Sequence, residues 1–403
     1  MRNLVDYFSE NVNVSFEELP FNELDAAIFS RLSYINFDKF VSPYKYQKKK
    51  LSRIASIIIK NETKKTFRLK EDKEIIQLIQ KSKRYNDIYI KGYIKDTDFD
   101  KTKQFSATTF INLDKKGDKF ILVSFRGTDG SYVGWKEDFE MSYKDTIPAQ
   151  IDATNYLKKA FRFSKIKKLY VVGHSKGGNL AIYSSSKLRK NIQNNIQGIY
   201  CFDSPGFNED FLALNGYKKI KNKIFHFAPQ TSIIGRLLFS DYTSSVCEST
   251  KTLFFQHNIY NWKTENDHFL KKEGFDFVSN KLDFYLKDTL KNLSYEEKKK
   301  FIDEVFNVIK DLSVDGEIAF GDSLLNFAKR FVKTLKTKSK ITQDIIKSVF
   351  KHEKFEEEEI KKVTPITNKK NIEDTIGKIK DFFRVEKTDN DKVVLTIDEN
   401  YDE

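Results

Sequence analysis

The run Leu169-Tyr170-Val171-Val172-Gly173-His174-Ser175-Lys176-Gly177-Gly178-Asn179-Leu180-Ala181-Ile182 constrains this chain more than any other stretch. A short apolar strand enters a Gly-x-Ser-x-Gly turn and leaves it as an amphipathic helix. To push a serine hydroxyl out of such a bend, the backbone at Ser175 must be strained. Residues two before and two after then approach too closely to carry side chains. The helix that follows brings a partial positive charge, and the Lys176 amide points where an oxyanion would form. The pattern predicts a nucleophile at Ser175.

A second stretch, Val123-Ser124-Phe125-Arg126-Gly127-Thr128-Asp129-Gly130, ends a strand in a glycine turn upstream of the first. This is where an α/β-hydrolase places its other oxyanion donor, and Thr128 offers both an amide and a hydroxyl. Strand patterns at Ile88–Ile90, Gln104–Asn112, Phe120–Phe125, Leu169–Val172, Ile199–Phe202 and Ile224–Phe227 are interleaved with helical ones, among them a helix opened by Pro148. Over residues 100–260 this alternation predicts a mostly parallel sheet covered on both faces. Ahead of it, Asn22 is placed to cap a helix with Leu24, Ala27, Ile28, Leu32 and Ile35 on one stripe. The apolar run Ile54–Ile59 predicts a further helix. Beyond about 265, amphipathic segments near 296–311, 320–337 and 341–362 replace the sheet pattern. The expected division is a lipase-like α/β domain over 1–265, a helical extension over 266–385, and a frayed polar end over 386–403.

A serine nucleophile needs a base, and the chain has five histidines. His174 belongs to the turn itself, where its side chain is expected to point away from the nucleophile. His226 lies inside an apolar strand and reads as a core residue, while His268 and His352 fall in the helical region. His257, in Phe254-Phe255-Gln256-His257-Asn258-Ile259-Tyr260, follows the last strand, and serine before histidine is the chain order of this fold class. It is the expected base. Two residues compete as the acid that orients it. Asp203 follows the strand after the nucleophile helix, at the sheet edge that carries Ser175. Asp241 lies between the last strands. A simple capping role for either leaves a third possibility open.

Composition excludes several other classes. Hydrophobic residues make up 39% of the chain, and no stretch approaches the roughly 20 apolar residues of a spanning helix. The opening residues lack the apolar core of a signal peptide, so a soluble cytoplasmic protein is expected. Two cysteines, Cys201 and Cys247, exclude a disulfide framework and a four-thiolate zinc site. No cofactor or metal is expected, since no His/Cys/Asp cluster has ligand spacing. The formal net charge is +13, but only eleven of the 71 basic residues are arginine. That balance speaks against nucleic-acid readout and for a mildly basic surface able to meet anionic lipid.

Taken together, GHSKGGN, SFRGTDGSYVGWKEDFEM, CFDSPGF and FFQHNIYNW resemble the bacterial Mbeg1-like family, relatives of the class 3 lipases, and FNELDAAIFSRLSYINF resembles that family's opening helix. The likeness covers roughly residues 1–265. It implies an α/β-hydrolase fold with a helical N-terminal segment, and a serine hydrolase acting on a lipid or small ester. Ser175 would be the nucleophile, Thr128 and Lys176 the oxyanion donors, and His257 the base. Two departures stand out. Lys176 replaces an apolar residue, and the segment where class 3 lipases supply their acid reads Pro229-Gln230-Thr231-Ser232, with no carboxylate. The missing acid and the long tail define a rival reading: an inactive scaffold whose helical tail binds a protein partner.

Overall fold

The computed structural model describes residues 2–41, 48–63, 66–114, 119–251, 253–276, 293–311, 383–387 and 393–397, with positions 279–280, 283, 287, 334, 337–340 and 342–343. The chain divides into two compact units. The first comprises residues up to Asp129 and Lys144–Phe275, and the second Gly130–Tyr143 with the chain from Asp276 onward.

The first unit opens with helices α1 (Leu4–Asn11) and α2 (Glu23–Leu32), then strand β1 (Lys49–Lys50) and helices α3 (Leu51–Lys60) and α4 (Lys70–Lys81). Asn22 caps α2 as its sequence predicts. Its side-chain oxygen accepts from the amides of Leu24 and Asp25 at 3.0 and 3.1 Å, and the Asn22 amide donates to the Asp25 carboxylate. The stripe Leu24, Ala27, Ile28, Leu32 and Ile35 is buried. Asp25 is itself fully buried. Such a charge is tolerable only when paired, and Arg84 grips both its oxygens at 2.8 and 2.5 Å.

Strands β2 (Ile88–Asp98), β3 (Lys103–Asn112) and β4 (Phe120–Phe125) add an antiparallel meander to β1. The chain then runs through α6 (Pro148–Ser164), β5 (Leu169–His174), α7 (Lys176–Ser186), β6 (Ile196–Phe202), β7 (Ile224–Pro229) and β8 (Ser244–Cys247), after the second unit's α5 (Tyr132–Glu140). The sheet has the order β1 to β8 without permutation, and β4 through β8 pair in parallel. Strands β4 and β5 are buried along their whole length, which explains their unbroken apolar runs. Every residue of α7 is buried too, because the helix packs against α6, β4, β5 and β6. This is the α/β-hydrolase arrangement.

Two details depart from expectation. The first unit continues past 265 through Phe275, because the hairpin Thr264–Glu265 with His268–Phe269 packs Phe269 against Phe202, Phe227 and Trp262. His268 therefore lies in a strand and not in a helical extension. In the second unit, Tyr295–Asp311 is helical as predicted, but an antiparallel pair of strands, Phe383–Lys387 with Val393–Ile397, occupies the end expected to fray. The expected helices near 320–337 and 341–362, and His352, fall almost wholly outside the described residues. Among the described residues no helix is long and apolar enough to cross a membrane.

His226, in β7, is the core residue its setting predicts. The Ser204 carbonyl, 3.1 Å away, can only accept, so Nε2 carries the hydrogen and Nδ1 accepts from the Ser244 hydroxyl at 2.8 Å. Burial pushes its pKa down to about 4. The unfolded chain binds a proton near pH 6.5 and the folded one does not, so stability is lost as pH falls below 6.5 toward 4. Between pH 7 and pH 5, His226 should remove about 2 kcal/mol of unfolding free energy. Urea melts at the two pH values should show this difference shrinking by that amount in His226→Gln. An unchanged difference would rule His226 out as its source.

Candidate active site

The parallel pairing decides which residues meet. Register places Phe125 beside Gly173, His174 beside Phe202, and Phe202 beside Phe227. The residues just beyond these strands, Gly127 and Thr128, Ser175, Asp203, and Gln230 to Ser232, therefore line one carboxyl edge of the sheet. This is the edge where open α/β sheets bind ligands.

Ser175 sits between β5 and α7 at φ 58° and ψ −135°, in the left-handed region that a non-glycine residue enters only at a cost of about 1–3 kcal/mol. The bond from its amide to the Phe202 carbonyl at 2.9 Å, and from Gly178 N–H to its own carbonyl at 2.9 Å, hold it there. The flanking glycines are where the strain argument puts them. A Cβ on Gly173 would lie 2.2 Å from Gly177 backbone atoms, and one on Gly177 would lie 2.1 Å from the Phe125 carbonyl oxygen. The turn after β4 closes on the same point: a Cβ on Gly127 would meet the His174 carbonyl at 2.6 Å and the Ser175 Cβ at 3.0 Å. Thr128 follows this contact, and its carbonyl is held by Arg68 at 2.9 Å. Lys176 opens α7. Its side chain is buried, with Nζ donating to the Gln104 carbonyl and Oε1 at 3.1 and 2.9 Å, so the residue that replaces the usual apolar one is anchored away from solvent.

His257 ends the short helical turn Leu253–His257 after β8. Its Nδ1 lies 2.6 Å from Asp203 Oδ2. The acid is almost fully buried and the imidazole about a quarter exposed. Asp203 holds a φ of 45°, a left-handed conformation that aspartate tolerates better than most residues. Its other oxygen accepts from the Ser232 hydroxyl at 2.5 Å and the Gly235 amide at 3.0 Å. The segment after β7 that lacks a carboxylate thus supplies a donor to the carboxylate at the end of β6. Neither Ser232 nor Gly235 is signalled as a site residue by any motif. Asp241 is engaged elsewhere. It accepts from Tyr217 and, at 2.7 Å, from Lys221; burial alone would raise its pKa, but these two partners bring it below the usual carboxylate value.

His174 corrects the expectation that its side chain points away from the chemistry. It is buried, its ring centroid lies 4.5 Å from that of His257, its Nε2 is 2.7 Å from the His257 carbonyl oxygen, and its Nδ1 is 3.0 Å from the Tyr34 hydroxyl. The apolar segment Ile233 to Phe239 is pinned along part of its length: Gly206 donates to the Leu237 carbonyl at 2.8 Å and Phe207 pairs with Phe239.

The glycine contacts make a stability prediction. Gly177→Ala drives a methyl into a backbone carbonyl and should cost about 2 kcal/mol or more, as overpacked sites do. Gly274→Ala, where an added methyl meets nothing within 4 Å, should stay within about 0.5 kcal/mol of wild type. Denaturant melts of the two variants check the contrast, and equal midpoints would show that the bend has room to spare.

A family model described as Mbeg1-like matches residues 79–307. No curated protein matches the chain. Among solved structures, the chain is similar to M37 lipase at 17% identity, over 61% of this chain and 84% of that one, with a TM-score of 0.35. It is similar to a triacylglycerol lipase from Penicillium expansum at 15% identity, over 47% of this chain and 82% of the other, with a TM-score of 0.28. With more than half of its length matched by the family model, the chain belongs to the Mbeg1-like family.

Proposed function

We propose that this protein is a serine hydrolase of carboxylic esters, acting through an acyl-enzyme on Ser175. The observation that carries the reading is the 2.6 Å bond between His257 Nδ1 and Asp203 at the sheet edge where Ser175 is held at positive φ. An imidazole whose Nδ1–H is donated to a buried carboxylate has its other nitrogen ready to take a proton.

In this mechanism His257 Nε2 removes the Ser175 proton as Oγ forms a bond to the acyl carbon. The amides of Thr128 and Lys176 bind the resulting oxyanion, each donor of this kind being worth about 3 kcal/mol. The bond to the alkoxy oxygen breaks, and His257 returns the proton to the leaving alcohol. Water then repeats the sequence: His257 takes its proton, the hydroxyl adds to the acyl carbon, and Ser175 leaves with the proton. Asp203 fixes the tautomer throughout and stabilises the imidazolium.

Three features favour a lipid-like ester in the cytoplasm. Phe255, two residues before the base, is 59% exposed, an apolar ring offered to solvent beside the site. The net charge of +13 suits a substrate at an anionic surface. Both cysteines are buried free thiols, as a reducing compartment allows. The scaffold alternative rests on a missing acid and a long tail, and the Asp203 carboxylate beside His257 speaks against the first of these.

Treatment with a fluorophosphonate probe and a chain-length series of p-nitrophenyl esters tests the reading. Wild type should label and turn over, and Ser175→Ala should do neither; a folded wild type that does not label overturns it. The acid makes a separate prediction. Asp203→Asn should lower kcat by about 10⁴-fold, while Asp241→Asn should leave kcat within about a factor of two, since its carboxylate is bonded to Tyr217 and Lys221. Similar effects from both substitutions would remove Asp203 from the mechanism.

A further inference from the structure

His174 and Tyr34 are absorbed by no step of that mechanism, yet both ring nitrogens of His174 are engaged and the residue touches the base. A backbone carbonyl can only accept, so the 2.7 Å contact with the His257 oxygen puts the hydrogen on Nε2. Nδ1 then presents a lone pair, and the Tyr34 hydroxyl at 3.0 Å donates to it. This assignment requires a neutral ring. Burial, then the neighbouring His257 and Arg31, hold the pKa of His174 well below the ordinary histidine value. Burial likewise raises the pKa of Tyr34, which keeps its proton. A charged ring at a centroid distance of 4.5 Å would oppose the imidazolium that His257 becomes during turnover, and a neutral one does not.

The anchoring continues below. The Arg31 guanidinium lies 4.3 Å from the Tyr34 ring centroid and binds Asp72 through three hydrogen bonds of 2.8 to 3.1 Å. Asp72 in turn accepts from the Tyr260 hydroxyl at 2.9 Å, three residues beyond His257. The loop that carries the base is therefore tied at two points: the carbonyl of 257 to His174 of β5, which Tyr34 just past α2 anchors, and the side chain of 260 to Asp72 of α4.

From this geometry, and resting on the hydrolase reading above, we infer that His174 is a positioning residue: anchored by Tyr34, its imidazole fixes the His257 carbonyl and so keeps the His257 ring in line between Asp203 and Ser175.

The test compares wild type, His174→Phe, His174→Gln and Tyr34→Phe as full-length chains, with ¹⁵N-labelled histidines. In wild type, ¹⁵N shifts should show His174 neutral with its hydrogen on Nε2, and a downfield proton signal should report the His257 Nδ1–H bonded to Asp203. His174→Phe fills the space without a donor. It should lose or broaden that signal and lower kcat by about 10- to 100-fold, the range seen when a group orienting a functional histidine is removed, with KM changed less than about twofold. His174→Gln, whose amide still reaches the carbonyl, should recover most of both. Tyr34→Phe, which leaves the imidazole in place but unanchored, should fall between, and it decides the matter if His174→Phe fails to fold. A hydrogen on Nδ1 of His174, a folded His174→Phe with the wild-type signal and kcat, or a glutamine variant as impaired as the phenylalanine one would each overturn the inference. If wild type hydrolyses no ester, the hydrolase reading fails by itself, and the tautomer and the downfield proton still decide whether His174 positions His257.

Discussion

The bend between β5 and α7 is the constraint on which the site depends. At Ser175 the chain must change from strand to helix within one residue, and it does so at φ 58° because two glycines let backbone pass backbone at about 2 Å from where a Cβ would stand. That closeness also brings the turn after β4 against Ser175. Once β5 is flanked in parallel by β4 and β6, its end, the end of β4 and the end of β6 fall side by side. The proposed oxyanion donors, the proposed nucleophile and the proposed acid then need no special device to meet: they are the next residues along adjacent strands.

His257, the proposed base, is different, because no strand delivers it. It lies in a stretch of short helical turns whose regular backbone pairing is slight, and its position has to come from side chains. Asp203 supplies one restraint at 2.6 Å and is itself oriented by Ser232 and Gly235. The carboxylate thus comes from the end of β6 and its support from the segment after β7. A chain can therefore lack a carboxylate after β7 and still hold an imidazole against a buried carboxylate at the end of β6.

This difference separates what could be read from the residues alone from what could not. The bend was legible because all of its parts, strand, glycines, serine and helix, are contiguous and their steric requirement is local. The helices at Asn22 and Pro148 were legible for the same reason, since a cap and a first-turn proline act on their own helix. Both Asp203 and Asp241 stayed open, because one follows a strand, the other lies between two, and only the pairing of β6 with its neighbours aims Asp203 at His257. His174 was misread because the direction of its ring depends on where residue 257 lies, 83 positions away. The hairpin of Thr264–Glu265 with His268–Phe269 was hidden by its brevity: two-residue strands carry no periodicity, and it is Phe269 in the core that holds them. At the other end, Val393–Ile397 is rich in β-branched residues, and the polar stretch around it masked a strand that its own composition favours.

The buried ion pairs of the N-terminal helices fit the same division. A buried pair is weak evidence for stability, since the cost of removing both charges from water rivals their attraction, and its best-attested value is orientation. Arg31 with Asp72 meets that description. The pair is nearly solvent-free, the planar guanidinium fixes the carboxylate through three bonds, and the carboxylate fixes Tyr260. Apolar residues of similar volume would pack as well but would leave the Tyr260 hydroxyl unsatisfied and the loop free to slide. The Mbeg1-like match begins at residue 79, yet Arg31, Tyr34 and Asp72 all precede it. Those helices belong to the same compact unit as the sheet. Through Tyr34 and Asp72 they add restraints on the histidine loop to those that His174 of β5 and Asp203 at the end of β6 supply.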